Sequence, residues 1–156
     1  MSLIRIAAVL LCVYAAVGAL VFVSQRSLLY YPTHRTVDSV MTPWKVAGQP
    51  WGMVRAGKTP SQVWLVTHGN GGQAAHRDYL LEYLGADVAV YVLEYPGYGD
   101  RLGQPSEENI NAAAAMAWQH LRATYPGVPM GVLGESIGSG PAAWLAGQVD
   151  PPGKMV

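Results

Sequence analysis

The sequence predicts an α/β chain, a mostly parallel sheet with flanking helices behind an apolar amino-terminal helix. Three observations carry this. From residue 51 onward, β-leaning apolar runs alternate with segments of helical period, the pattern of a parallel sheet joined by crossover helices. Val88 to Leu93 is continuously apolar, as expected of a strand covered on both faces. Ile6 to Val23 is an 18-residue run without a charge. A chain of 156 residues makes one folded domain the default. The division expected is an anchor over residues 1–29 and a partial α/β domain over 30–156.

Lys plus Arg and Asp plus Glu number ten each, so the net charge is zero and no basic field points toward nucleic acid. Charged residues make up 13%, against about 25% in an average soluble domain. Much of the apolar excess sits at the amino terminus. About 20 apolar residues cross a bilayer as a helix, and the flanks of the Ile6–Val23 run extend it. Tyr30 and Tyr31 then suit a headgroup zone. A cleaved secretory signal is the rival, with Val17-Gly18-Ala19 as its site. Yet the run continues through Leu20-Val21-Phe22-Val23, which favours an uncleaved anchor and a lipid bilayer as partner. A buried core helix fits least, because the run is apolar all round. Arg5 precedes the helix and Arg26 and Arg35 follow it, so the positive-inside rule assigns no side. Cys12, the single cysteine, excludes an intrachain disulfide.

Between Tyr31 and Pro50 the residues Pro32, Pro43, Gly48 and Pro50 break any period, which predicts an extended approach with at most an edge strand. Trp51–Ala56 and Val63–Thr67 are β-leaning and are predicted to pair as a hairpin across residues 57–62. A helix is expected from Gln73 to Leu84, with Leu80, Leu81 and Leu84 on one side. After the strand Val88–Leu93, Tyr95-Pro96-Gly97-Tyr98-Gly99 forces a break. Ser106 is the expected N-cap of the next helix, with Glu107 and Glu108 near the positive end of its dipole. Ile110, Ala114, Ala117 and Leu121 form its apolar stripe, and Pro126 ends it. The strand Met130–Leu133 and a helix reaching about Gln148 close the series, with Pro141 in that helix's first turn.

Gly52 to Thr59 matches the P-loop expression G-x-x-x-x-G-K-[ST]. That motif holds phosphate only between a buried strand and a helix amino terminus, where backbone N–H groups converge. Here Gly48-Gln49-Pro50 precedes it and Pro60 with a strand follows. Nucleotide binding is therefore set aside.

Gly134-Glu135-Ser136-Ile137-Gly138 is a G-x-S-x-G pentapeptide at the end of a strand and the start of a helix. In that setting a sharp, strained turn lifts the serine hydroxyl clear, which makes Ser136 the candidate nucleophile. Acyl transfer by serine also needs a proton acceptor, and N–H donors aimed at the developing oxyanion. The N–H of Ile137, just after the serine, is the first candidate donor. Asn70, in the loop His68-Gly69-Asn70-Gly71-Gly72 after the earlier strand, is the second.

Taken in order, four motifs resemble the α/β-hydrolase superfamily: His68-Gly69-Asn70-Gly71-Gly72, Glu94-Tyr95-Pro96-Gly97-Tyr98-Gly99, Gln104-Pro105-Ser106-Glu107 and Gly134-Glu135-Ser136-Ile137-Gly138-Ser139-Gly140. Together with Leu28-Leu29-Tyr30-Tyr31-Pro32-Thr33 they are most similar to its membrane-anchored branch of Bem46-like proteins and acyl-protein depalmitoylases, grouped with serine-aminopeptidase-like hydrolases. The resemblance spans residues 5–148 and implies the amino-terminal part of an α/β-hydrolase fold. It implies a serine hydrolase of ester, thioester or amide bonds, with a small-molecule or acylated substrate and no metal or organic cofactor. It also implies that His68 is structural.

The departures from that pattern matter as much. Triad order in this fold is Ser, then Asp or Glu, then His. After Ser136 stand one acid, Asp150, too close to the nucleophile helix for the family position, and no histidine. His34, His68, His76 and His120 all precede the serine, and His76 and His120 lie in expected helices as solvated or packed side chains. Two readings stay open: a portion of a longer hydrolase whose acid and base lie beyond residue 156, or a degenerate, non-catalytic, membrane-tethered interaction module. The first is favoured, because a chain stopping at Val156 is expected to bare the apolar edge of the strand before Ser136. Such a chain alone is expected to be unstable and catalytically silent.

Overall fold

The computed structural model describes residues 2–156, as one unit ending at Tyr31 and a second from Pro32 to Val156. Helix α1 (Leu3–Leu29) has 27 residues, about 40 Å at 1.5 Å per residue, and none of them is buried. Its length and composition suffice to cross a membrane.

The second unit is built on one six-stranded mixed sheet in the order β1-β2-β4-β3-β5-β6. The strands are β1 (Thr42–Val46), β2 (Gln49–Arg55), β3 (Gln62–Thr67), β4 (Val88–Leu93), β5 (Met130–Gly134) and β6 (Lys154–Met155). From β4 through β3 and β5 to β6 all pairing is parallel, while β1 and β2 run antiparallel to each other and β2 antiparallel to β4. All six residues of β4 are buried, as the unbroken apolar run requires. Helix α2 (Glu107–Thr124) begins where Ser106 accepts a 3.1 Å bond from the Asn109 N–H, and it buries Ile110, Ala114, Ala117 and Leu121. Helix α3 (Ser139–Ala146) has the buried Pro141 in its first turn and is capped by Gly147, so it ends two residues short of the expected reach.

Three elements depart from the sequence reading. The expected hairpin between residues 51–56 and 63–67 is absent: β2 pairs with β1 and β4, and β3 lies between β4 and β5. Two local features decide this. Ala47 (φ 48°) and Gly48 (φ 78°) form a two-residue turn with both φ values positive, which joins β1 to β2. Gly52 (φ 147°) then brings β2 so close to β4 that a Cβ there would overlap the Val92 carbonyl oxygen. Pro43 is tolerated because β1 is an edge strand, and Pro50 lies where the β1–β2 register slips.

The segment after β3 is a 3₁₀ helix over Ala74–Glu82 rather than an α-helix to Leu84. Three residues per turn stack Ala74, Arg77 and Leu80 on one face, and Ala74 and Arg77 are buried there. Leu80, Leu81 and Leu84 still pack on the core around Val90 and Val92.

The β5 edge expected to be bare is partly covered. Pro151-Pro152-Gly153 lead into β6, and Gly153 and Val156 donate to the carbonyls of Met130 and Val132 at 3.1 and 3.0 Å. Gly134 in turn donates to the Val156 carbonyl at 2.8 Å.

Gly52→Ala should lower stability by more than about 3 kcal/mol, because it combines a glycine-only φ with a backbone overlap. Gly140→Ala, in α3 with open space around its Cβ, should be neutral or stabilising by up to about 1 kcal/mol. Urea denaturation of the two variants checks the contrast.

Candidate active site at the carboxyl ends of β3 and β5

The chain leaves β3 for β4 on one side and later returns as β5 on the other, so β3 and β5 flank a topological switch point. Crevices at the carboxyl ends of such strands are where open α/β sheets bind ligands. Thr67 pairs with Gly134 at that end. The loop 68–72 and the turn 135–138 therefore emerge side by side.

Ser136 has φ +53°, one of two non-glycine residues with positive φ among the described residues. A non-glycine residue holds that conformation only where its surroundings over-determine it. Here Glu135 continues the sheet by donating to the Thr67 carbonyl at 2.9 Å, and Gly138 turns back to donate to the Glu135 carbonyl at 2.8 Å. The Thr67 hydroxyl donates to the Gly138 carbonyl at 2.7 Å, with the Leu133 carbonyl at 3.2 Å. Both motif glycines are sterically required. A Cβ on Gly138 would overlap the Thr67 carbonyl, and one on Gly134 would sit 2.7 Å from Cα of Ser139. The Ser139 hydroxyl donates to the Ser136 carbonyl at 2.6 Å. Ser136 itself is exposed, and its hydroxyl has no hydrogen-bond partner among the described residues. The same holds for the Ile137 N–H.

Asn70 is half-buried in the loop between β3 and the 3₁₀ helix. Its Oδ1 accepts from the Tyr98 hydroxyl at 2.8 Å and from the Gly71 N–H at 3.1 Å. That oxygen is committed to loop geometry. Below it, the Tyr95 hydroxyl donates to the His68 carbonyl at 2.6 Å. Burial pushes the Tyr95 phenol well above its ordinary range, which keeps it a donor.

His68 is fully buried and stacked on Tyr95. Its Nε2 lies 3.0 Å from Glu94 Oε1 and its Nδ1 2.9 Å from the Gly69 carbonyl, so neither nitrogen is offered to Ser136. His76 Nδ1 accepts from the Gln73 N–H, His120 packs against Trp44 and Trp51, and His34 Nδ1 donates to the Gly99 carbonyl. Asp150 pairs with Arg122 at 3.0 Å on the surface. None of the four histidines is hydrogen-bonded to the serine among the described residues. Lys58 and Thr59 of the P-loop-like stretch lie in the exposed connection between β2 and β3, with no helix after them.

Two residues not singled out by sequence join the site's halves. Arg77 Nε and Nη2 donate to Glu135 Oε2 and Oε1, both at 2.8 Å, with Arg77 buried and Glu135 partly exposed. The guanidinium fills the space beside Gly69 and Gly72, where a Cβ would meet it. Glu135 was visible as a variable position of the pentapeptide, but nothing in the sequence links it to a residue 58 positions earlier.

No family model matches the chain. Over 97% of its length it is 27% identical to an uncharacterized protein of Mycobacterium tuberculosis, of which it covers 59%. It is 32% identical to the mouse and human alpha/beta hydrolase domain-containing protein 17C over 62% of its length, about a third of theirs. The crystal structure of TT1662 from Thermus thermophilus shares the fold, with a TM-score of 0.52 and 22% identity over 76% of this chain and 56% of that one. The chain thus spans between about a third and three fifths of the relatives it matches. The named relatives support an α/β-hydrolase superfamily.

Removing one partner of the Arg77–Glu135 pair strands the other. Glu135→Gln should cost about 2 kcal/mol, less than a fully buried pair because Glu135 is 40% exposed, and Arg77→Met a similar amount. Chemical denaturation checks both; changes under about 0.5 kcal/mol would place the pair among ordinary surface bridges.

Proposed function

We propose that this chain, with an α/β-hydrolase fold and relatives that support that superfamily, carries the nucleophile half of a membrane-anchored serine hydrolase. Ser136 attacks the carbonyl of an acyl ester, thioester or amide, and the N–H groups of Ile137 and Asn70 receive the oxyanion. The observation that carries this reading is the positive φ of an exposed serine beside an unbonded N–H, at the end of a central parallel strand. Strain of this kind is retained where geometry serves chemistry. The proton acceptor and its acid lie outside residues 1–156, since no histidine follows Ser136 and the four that precede it are engaged elsewhere. Helix α1 tethers the domain to a bilayer, which suits an acylated substrate and the Bem46-like or depalmitoylase-like branch.

The engagement of every histidine also supports a second reading, a degenerate hydrolase that serves as a membrane-tethered interaction module. The two differ in serine reactivity. Treated with a fluorophosphonate, the full-length gene product should label at Ser136, and Ser136→Ala should abolish labelling without loss of fold. A folded product that does not label supports the interaction module and overturns the hydrolase.

A further inference from the structure

A cavity of about 330 Å³ lies in the second unit, and neither Ser136, Ile137 nor Asn70 lines it. It is walled by the segment 34–37, by β1 and β2, and by the start of the loop after Tyr98. Its size is at the lower end for small-molecule sites. Arg35, Lys45 and Arg101 line it, against two acids, Glu94 and Asp100. Glu94 is spent elsewhere: Oε1 faces His68 Nε2 at 3.0 Å and Oε2 accepts the Ala74 N–H at 3.0 Å. The three ion pairs among the described residues are His68–Glu94, Arg77–Glu135 and Arg122–Asp150. Arg35, Lys45 and Arg101 therefore have no carboxylate within ion-pair distance.

The Arg35 backbone and the Arg101 side chain are held in place, while the Arg35 and Lys45 side chains are exposed at the rim. The backbone of Arg35 is clamped by the buried Gln73, whose Oε1 accepts the Arg35 N–H at 2.6 Å and whose Nε2 donates to the Arg35 carbonyl at 3.0 Å. One residue earlier, His34 Nδ1 donates to the Gly99 carbonyl at 2.7 Å, and the Gly99 N–H bonds the Thr33 carbonyl at 2.9 Å. Arg101 donates from Nη1 to the Glu94 carbonyl at 2.8 Å and lies over the Trp51 ring at 5.7 Å. Burial pulls the Arg101 guanidinium below its ordinary value, with the Glu94 charge opposing.

We propose that this cavity is an anion site for a small phosphomonoester, held by Arg35, Lys45 and Arg101. Guanidinium groups match phosphate oxygens through paired N–H donors, and a lysine adds a point charge. A dianion offsets the excess of cations that Asp100 leaves, and a clamped backbone lowers the ordering cost of binding. The group comes either as a free metabolite-sized phosphate ester or as the headgroup of a phosphomonoester lipid, two sources with the same recognition chemistry.

The test titrates the purified full-length gene product in neutral detergent with sn-glycerol 3-phosphate, read by isothermal calorimetry and ³¹P line broadening. Saturable binding is expected, weakened at least tenfold in Arg35→Ala/Lys45→Ala and unchanged in Lys58→Ala/Lys154→Ala, which removes the same charge elsewhere. Asp100→Asn, an exposed change that should not disturb folding, should tighten binding at least threefold. A short-chain phosphatidic acid, compared with the matching phosphatidylcholine, separates the sources. Tenfold tighter binding of phosphatidic acid than of glycerol phosphate assigns a lipid headgroup, and equal binding assigns a free ester. No saturable binding of either ligand, or equal losses in the two double variants, overturns the proposal. Serine labelling does not enter this test, so the site stands or falls apart from the hydrolase reading.

Discussion

The candidate site depends on how closely the Gly138 backbone approaches Thr67. Parallel pairing of β3 with β5 puts Thr67 opposite Gly134, and the chain must then reverse within four residues to start α3. A Cβ at Gly138 would collide with the Thr67 carbonyl, and the Thr67 hydroxyl holds the Gly138 carbonyl at 2.7 Å. With both ends of the turn fixed in this way, the residue between them takes up the curvature, and Ser136 does so at φ +53°. Exposure of its hydroxyl and the freedom of the Ile137 N–H both follow from that one constraint.

Around the turn, polar contacts lock the neighbouring loop rather than the serine. Tyr95, Tyr98 and Glu94, all from the end of β4 and the loop after it, hold the His68 carbonyl, the Asn70 side chain and the His68 ring respectively. Arg77 and Glu135 bridge that loop to the pentapeptide. The loop and the turn are thus tied to each other without a direct bond from Ser136. The segment Thr33–Arg35 is stitched to the same region through Gly72, Gln73 and Gly99.

How much of this was legible depended on the range of the interaction. Strictly local features were readable: the Ser106 cap, the Ile110–Leu121 stripe, the buried β4 run and the strained pentapeptide each rest on residues within a few positions of one another. Pairing was not. The β1–β2 turn is made by Ala47-Gly48, which lacks the usual Asn-Gly signature, and Pro43 and Pro50 disguise the strands on either side. The β2–β4 contact turns on Gly52, whose missing side chain carries no sequence signal for a partner some 40 residues later. Arg77 and Glu135 were likewise ordinary charges until the fold brought them together.

The most direct test is the structure of the full-length gene product after phosphonylation. The account predicts an adduct on Ser136 Oγ with φ still positive, and the phosphonyl oxygen about 2.7–3.1 Å from the Ile137 nitrogen and turned toward the 68–72 loop. An adduct oxygen directed into solvent with the Ile137 N–H unbonded, or a Ser136 relaxed to negative φ, would contradict it.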